Sequence, residues 1–256
     1  MEKVAKMSEN RVINVLATDV DGTLIDEDNK DLSEELESFL HRWIAQGGTW
    51  LVASGRPTEM LQDFFQIWGV SPAGFVSENR YIYQGPKKYR PFPEWNRERR
   101  LEKRRIDKKI QKIFEELICW AGENQIERSS EQWIKFTSLK AAIRAESRLD
   151  NLTGKTIKAI RNKRYVSVIS SRSGKGAALM KLLNELNLET KQTLCVGDSG
   201  NDREMLDGRY DFKAAASRQA EPEIKDIVSI NGGLIFKSDL GIELSELLLN
   251  GEQEDL

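Results

Sequence analysis

Two aspartates, Asp19 and Asp21, stand two positions apart in the stretch TDVDGTL, directly after the apolar run VINVLA. Carboxylates so close repel each other and are costly to desolvate, so placing them at the end of a buried strand calls for a cation. A divalent ion with oxygen ligands, such as Mg2+, meets that need and takes further acidic ligands from elsewhere in the chain. The stretch GDSGND at 197–202 offers two: Asp198 is a natural further ligand, and Asp202, four positions on at a helix start, can orient that shell. Ser54, in the triplet SGR, can hydrogen-bond a phosphate oxygen alongside backbone N–H groups, for which Gly22 and Gly55 leave room. Lys175, at the start of a helical pattern, brings positive charge to where a transferred group must be stabilised.

These residue types suit phosphoryl transfer. One aspartate can attack phosphorus and split the reaction into two easier steps. The other can donate a proton to the leaving oxygen and later accept one from water. The D-x-D-G-T pattern is the specific part, arising by chance in a chain of this length with a probability of roughly a few in a thousand. SGR alone carries no weight, and GDSGND alone reads equally well as a turn with a helix cap.

The elements that position these residues alternate. The run 12–19 is apolar and β-branched, as expected of a strand buried on both faces. Asp31 with Glu34 predicts the cap of a helix whose apolar set is Leu36, Phe39, Leu40, Trp43 and Ile44, ended by Gly47-Gly48. A strand at 49–54, a helix through Met60, Leu61, Phe64, Phe65 and Trp68, and a short strand at 74–78 follow. The rhythm resumes with a helix at 175–187, strands at 192–198 and 212–217, the start of a helix at 201–206, and helices at 221–228 and 242–249. Strands alternating with helices predict a parallel sheet covered on both faces, with ligands bound beyond the carboxyl ends of the strands. The expected division is a core at 1–80 and 173–256 and an inserted module of sheet plus helix at 81–172. Within the insert, strand character is expected at 131–146 and 156–170, and a charge-rich helix at 97–118.

Composition narrows the classes. The chain has 256 residues, 39% hydrophobic and 31% charged, as in a globular protein with a wet surface. A net charge of −2 gives no overall field toward nucleic acid or an acidic membrane, and neither is expected as a partner. No window reaches the length of a membrane span, the charged N-terminal stretch lacks an apolar core of signal-peptide length, and the tail GEQEDL is expected to fray. The two cysteines, Cys119 and Cys195, are far apart in sequence and are expected as reduced thiols in a cytoplasmic protein, a monomer or homodimer. The single histidine, His41, excludes a His-rich zinc site and falls on the outside of a helix.

DVDGT at 19–23, SGR at 54–56, KG at 175–176 and GDSGND at 197–202 resemble the four motifs of the haloacid-dehalogenase (HAD) superfamily. The resemblance covers both core halves and implies a Rossmann-like α/β core, Mg2+-dependent chemistry and hydrolysis of a small phosphomonoester. It makes Asp19 the nucleophile and Asp21 the acid/base, with Thr23 bracing that loop. Ser54 and Lys175 would hold the phosphoryl group, with Gly55 and Arg56 beside them at the substrate. Asp198 would be a metal ligand beside the Asp21 carbonyl, with Asn201 and Asp202 in support.

An α+β insert between SGR and KG is similar to the type C2B cap, found in Cof-type, sucrose-phosphate and trehalose-phosphate phosphatases and in phosphomannomutases. GDSGND resembles the sucrose-phosphate-phosphatase-like members. Cof-type members carry Asn-Gly where this chain has Asn79-Arg80, so its entry into the insert departs from that branch. The implied substrate is a sugar phosphate. Two alternatives stay open: a phosphosugar mutase that returns the phosphoryl group to a hydroxyl, and a catalytically silent phosphate-binding regulator.

In the insert, residues 97–112 hold nine Lys and Arg. They read either as a stripe for anions or, more simply, as a solvated face balanced by Glu98, Glu102 and Asp107. Trp95 and Trp133 are expected in packing rather than on a sugar ring. Lys135 and Arg144 sit where cap strands could read a sugar or second phosphate.

Overall fold

The computed structural model describes residues 13–26, 29–86 and 88–250. The charged N-terminal stretch and the GEQEDL tail lie outside the described residues. The chain divides into two compact units, one of residues 1–92, 175–198 and 202–256, the other of residues 93–174 with 199–201.

The first unit is built on one eight-stranded sheet. Its strands, in chain order, are β1 (Val15–Thr18), β2 (Thr49–Ala53), β3 (Gly74–Ser77), β4 (Tyr81–Gln84), β5 (Arg90–Pro91), then β10 (Thr193–Gly197), β11 (Lys213–Ala216) and β12 (Leu234–Ile235). The spatial order is β12-β11-β10-β1-β2-β3-β4-β5, parallel from β12 to β3 and antiparallel over the last two pairings. From β1 the chain proceeds outward through β2 and β3, and from β10 outward the other way. The β1/β10 boundary is therefore the switch point, the place beyond the strand ends where open parallel sheets bind their ligands. Residues 81–91 thus pair within this sheet.

Helix α1 (Glu34–Ala45) buries Leu36, Phe39, Leu40 and Trp43 at 3- and 4-residue spacing, while Ile44 stays exposed. Ser33, not Asp31, caps it, accepting a hydrogen bond from Leu36 N at 3.2 Å. Its hydroxyl sits one residue before the first helical turn, within reach of the third backbone N–H. Gly48 follows because a Cβ there would come within 2.2 Å of the Trp43 indole. Helix α2 (Thr58–Ile67) adds Leu61, Phe64 and Phe65, which meet Trp50, Trp68 and Phe75 in the main core. Each such fully buried side chain contributes about 1.5–3 kcal/mol.

The second unit is a four-stranded antiparallel sheet, β6 (Ile126–Ser129), β7 (Trp133–Phe136), β8 (Ile157–Asn162) and β9 (Tyr165–Ser170), in the order β6-β7-β9-β8. It carries α3 (Pro93–Ala121) and α4 (Leu139–Thr153). The strand expected across 131–146 is only four residues long, and most of the rest is α4. Ser138 caps α4 through Ala141 N, and Ala141, Ala142, Ala145 and Leu149 face the core at helical spacing. Arg144 is therefore a helical residue, stacked over Trp120, and Lys135 on β7 pairs with Glu127 at 2.7 Å. The first unit's remaining helices are α5 (Lys175–Glu185), α6 (Arg203–Leu206), α7 (Pro222–Ile230) and α8 (Leu240–Leu248). His41 is exposed beside Glu37, and no described helix is long and apolar enough to cross a membrane.

Candidate active site

Strands β1 and β10 run in parallel with Thr18 opposite Val196, and Asp19 N donates to Val196 O at 3.0 Å. Asp19 and Asp198 therefore leave neighbouring strands at the same edge. A single 3-10 turn then folds Asp202 back, so that its Oδ2 accepts from Asp198 N at 3.0 Å. Gly197 permits this, since a Cβ there would lie 2.6 Å from Asp202 Cβ. One carboxylate oxygen from each of Asp19, Asp198 and Asp202 lies within 4.8 Å of the others, and all three residues are buried. Two carboxylates at that separation repel by roughly 3–4 kcal/mol at an effective dielectric constant of ~20.

Lys175, the first residue of α5, answers that repulsion in part. Its fully buried ammonium lies 2.6 Å from Asp19 Oδ1 and 2.7 Å from Asp202 Oδ1. The helix start is held close because Gly176 packs where a Cβ would fall 2.7 Å from Glu204 Cβ and from the Tyr210 ring. Burial works against the Lys175 charge, yet Asp19 and Asp202 together hold the ammonium above its ordinary value. Burial pushes the Asp19 carboxyl well up, and the neighbouring Asp202 charge pushes it further.

One ammonium against three carboxylates leaves a surplus of negative charge in a desolvated spot. Asp19 Oδ2 is buried and has no hydrogen-bond partner among the described residues. An orphaned buried oxygen in a trio of carboxylates is a donor set that fits a hard divalent cation. Asp202 differs from the other two in kind: its oxygens already accept from Lys175 and from the Asp198 amide.

The next stretch is a tight loop. Gly22 has φ +77° and donates to Ile25 O at 2.7 Å, Ile25 N returns to Val20 O, and Ser217 Oγ donates to Gly22 O at 2.8 Å. Asp21 leaves this loop into the grip of Arg56, whose Nε reaches its two oxygens at 3.0 and 2.8 Å while Nη2 also donates. Arg56 stacks on Phe64 with 4.9 Å to the ring centroid. Its backbone N–H donates to Ser54 Oγ at 3.1 Å, and Ser54 is buried. Thr23 Oγ1 is buried without a partner among the described residues. It lines a cavity of about 160 Å³ with Asp26, Asn29 and Ser217, whose lining includes none of Asp19, Asp198, Asp202 or Lys175. In the second unit, Asn201 Oδ1 accepts from Ser199 Oγ at 2.9 Å.

Six of the expected site residues thus meet directly in two groups: Asp19 with Lys175, Asp198 and Asp202, and Asp21 with Arg56. Sequence reading missed the Arg56–Asp21 clamp, since SGR shows an arginine but not which carboxylate it will face. It read Asn79 only as part of the entry into the insert, whereas Asn79 adopts φ +58°, donates its backbone N–H to Ser54 O, and lays its side chain against Gly55. The adjoining Glu78, also at positive φ, makes this an Asn-favouring turn that composition alone signals weakly.

The family described as sucrose-6F-phosphate phosphohydrolase matches residues 13–229. A phosphoglycolate phosphatase of Metallosphaera sedula is 28% identical over 244 residues, covering 93% of this chain and all of that protein. Among solved structures, the sucrose-phosphatase of Synechocystis sp. PCC6803 in complex with sucrose and phosphate superposes with a TM-score of 0.68 at 20% identity, over 94% of this chain and 98% of that one. A haloacid dehalogenase-like hydrolase from B. subtilis gives 0.64 at 18% identity, over 93% of this chain and 100% of the other.

Proposed function

The chain belongs to the sucrose-6F-phosphate phosphohydrolase family of the HAD superfamily, and from that membership we propose a Mg2+-dependent phosphatase that hydrolyses a sugar phosphate in the cytoplasm through an aspartyl-phosphate. The observation that carries this reading is the buried Asp19 carboxylate, with one oxygen on Lys175, the other orphaned, and Asp198 and Asp202 clustered with it. A cation held by Asp19 and Asp198 would offset the negative charge of both the nucleophile and the incoming phosphate.

The steps then fall to this chain's residues. Asp19 attacks phosphorus, the bond to the ester oxygen breaks, and Asp21 gives that oxygen its proton. Water next attacks the acyl phosphate, Asp21 takes its proton, and inorganic phosphate leaves as Asp19 is restored. Lys175 keeps Asp19 aimed and helps balance charge on the transferred group. Asp202 orients Lys175 and the Asp198 loop, and Ser54 faces the phosphoryl oxygens. Arg56 holds Asp21 in place between turnovers and must slacken for the proton to move. A second reading, hydrolysis of the small anion 2-phosphoglycolate, is favoured by the full-length relative of that name.

The test is phosphate release from sucrose phosphate, hexose phosphates and 2-phosphoglycolate, with Mg2+ and with excess chelator. Release that needs Mg2+ and vanishes in Asp19→Asn is the expected result. Isomerised hexose phosphate without free phosphate would convert the reading to a mutase. Turnover unchanged in Asp19→Asn would remove the mechanism.

A further inference from the structure

The net charge of −2 hides a strong division. Residues 93–174 contain 20 Lys and Arg against 11 Asp and Glu, a net of +9, and the rest of the chain carries 19 against 30, a net of −11. Much of the positive charge lies on α3. Arg97, Arg104, Arg105, Lys108 and Lys112 are all exposed. At about 100° per residue they fall on one side roughly 100° wide, and at about 1.5 Å per residue they extend for about 22 Å. The opposite side holds Ile110, Ile113, Phe114 and Leu117, buried in the second unit's core.

The acids expected to balance this helix are committed to its cations off the stripe. Glu98 and Glu102 pair with the buried Arg99 at 3.2 and 3.3 Å, and Asp107 pairs with Lys103 at 3.2 Å. Glu94 and Glu115 fall on the stripe's side, but only at its two ends. What remains is a self-repelling face: Arg104 and Lys108, Lys108 and Lys112, and Arg105 and Lys109 are like charges four positions apart. The stripe also begins near the helix N-terminus, where cations are least welcome. A solvated helix face needs neither feature.

We propose that this face docks on the phosphate backbone of a nucleic-acid duplex. A straight, rigid row of cations suits a straight polyanion that carries one charge per ~1.7 Å of axis. Single strands are held by aromatic stacking platforms, and no stripe residue is aromatic. A membrane-seated helix carries an apolar or aromatic edge. Here Leu101 is the one apolar residue among the stripe positions, and α3's tryptophans are covered, Trp95 by Arg99 and Trp120 by Arg144 and Arg148. Contacts to phosphate alone carry no base sequence, so binding will be indifferent to sequence.

The experiment is fluorescence anisotropy of the full chain with a labelled duplex of ~20 base pairs, across a salt series, beside a single strand and phosphatidylserine vesicles. Five phosphate contacts give a slope of log Kd against log[salt] of about 4.5. The triple variant Arg104→Glu, Lys108→Glu, Lys112→Glu should lower that slope by about 3 and weaken binding at least tenfold, with release of phosphate from a small ester unchanged. The triple variant Arg128→Glu, Lys140→Glu, Lys155→Glu makes the same change in net charge off the stripe and should keep most of the affinity. Equal loss in both triples would overturn the proposal, as would tighter binding to the single strand or vesicles, or no duplex binding at low salt.

Discussion

The two units handle charge in opposite ways. In the first, Asp19, Lys175, Asp198 and Asp202 are all buried at one sheet edge, and Lys175 ties Asp19 to Asp202 across separate stretches of chain. In the second, the cations of α3 lie along an open face and repel one another. Buried charges are strongly coupled because little water separates them, so they are fixed in geometry and suited to chemistry. Exposed charges are weakly coupled and act at a distance, so they suit encounter rather than catalysis.

The largest effect expected from this contrast is at Lys175. Lys175→Met removes the cation between Asp19 and Asp202 and leaves buried carboxylates facing each other, which should cost about 3–5 kcal/mol in denaturant titration. Mg2+ at millimolar concentration should restore part of that loss, because it replaces the missing positive charge. A variant as stable as the parent would mean that these charges are not coupled as described.

Arg56→Lys comes next. A lysine keeps the charge but cannot offer the forked contact to both Asp21 oxygens. The expected outcome is a fall in kcat of about 10–100-fold with little change in KM, since an acid/base out of place harms the chemical step. A rise in KM alone would make Arg56 a substrate contact instead. The smallest effect belongs to the second unit. Lys108→Glu turns two repulsive pairs, with Arg104 and Lys112, into attractive ones and should add roughly 0.5–1 kcal/mol of stability, read as a raised Tm. A lowered Tm would show that the face is already balanced.

Much of the first unit was readable from its chain. Apolar runs such as VINVLA mark strands covered on both faces, and the alternation of strands and helices implies a parallel sheet whose ligands gather at strand ends. From that alone Asp19 and Asp198 could be expected to meet. The helix cap was misplaced by two residues because Asp31 has Glu34 at the capping-box spacing and Ser33 has only Leu36, while the extended backbone at Ser33 is what selects it. Of the strand character expected at 131–146, β7 keeps Trp133–Phe136 and α4 takes most of the rest, since WIKFTSL shows β-type residues next to a helix start and periodicity over so few residues cannot separate them.

By itself the sequence determined the types of the reacting groups, their order along the chain and the layered class of the fold, because period and spacing are local properties of covalent structure. Tertiary structure decided which charge faces which. That Arg56 holds Asp21, and that Lys175 is drawn between Asp19 and Asp202, depend on where distant segments come to rest. Coulomb energy depends on distance in space, and neighbours in sequence do not report it.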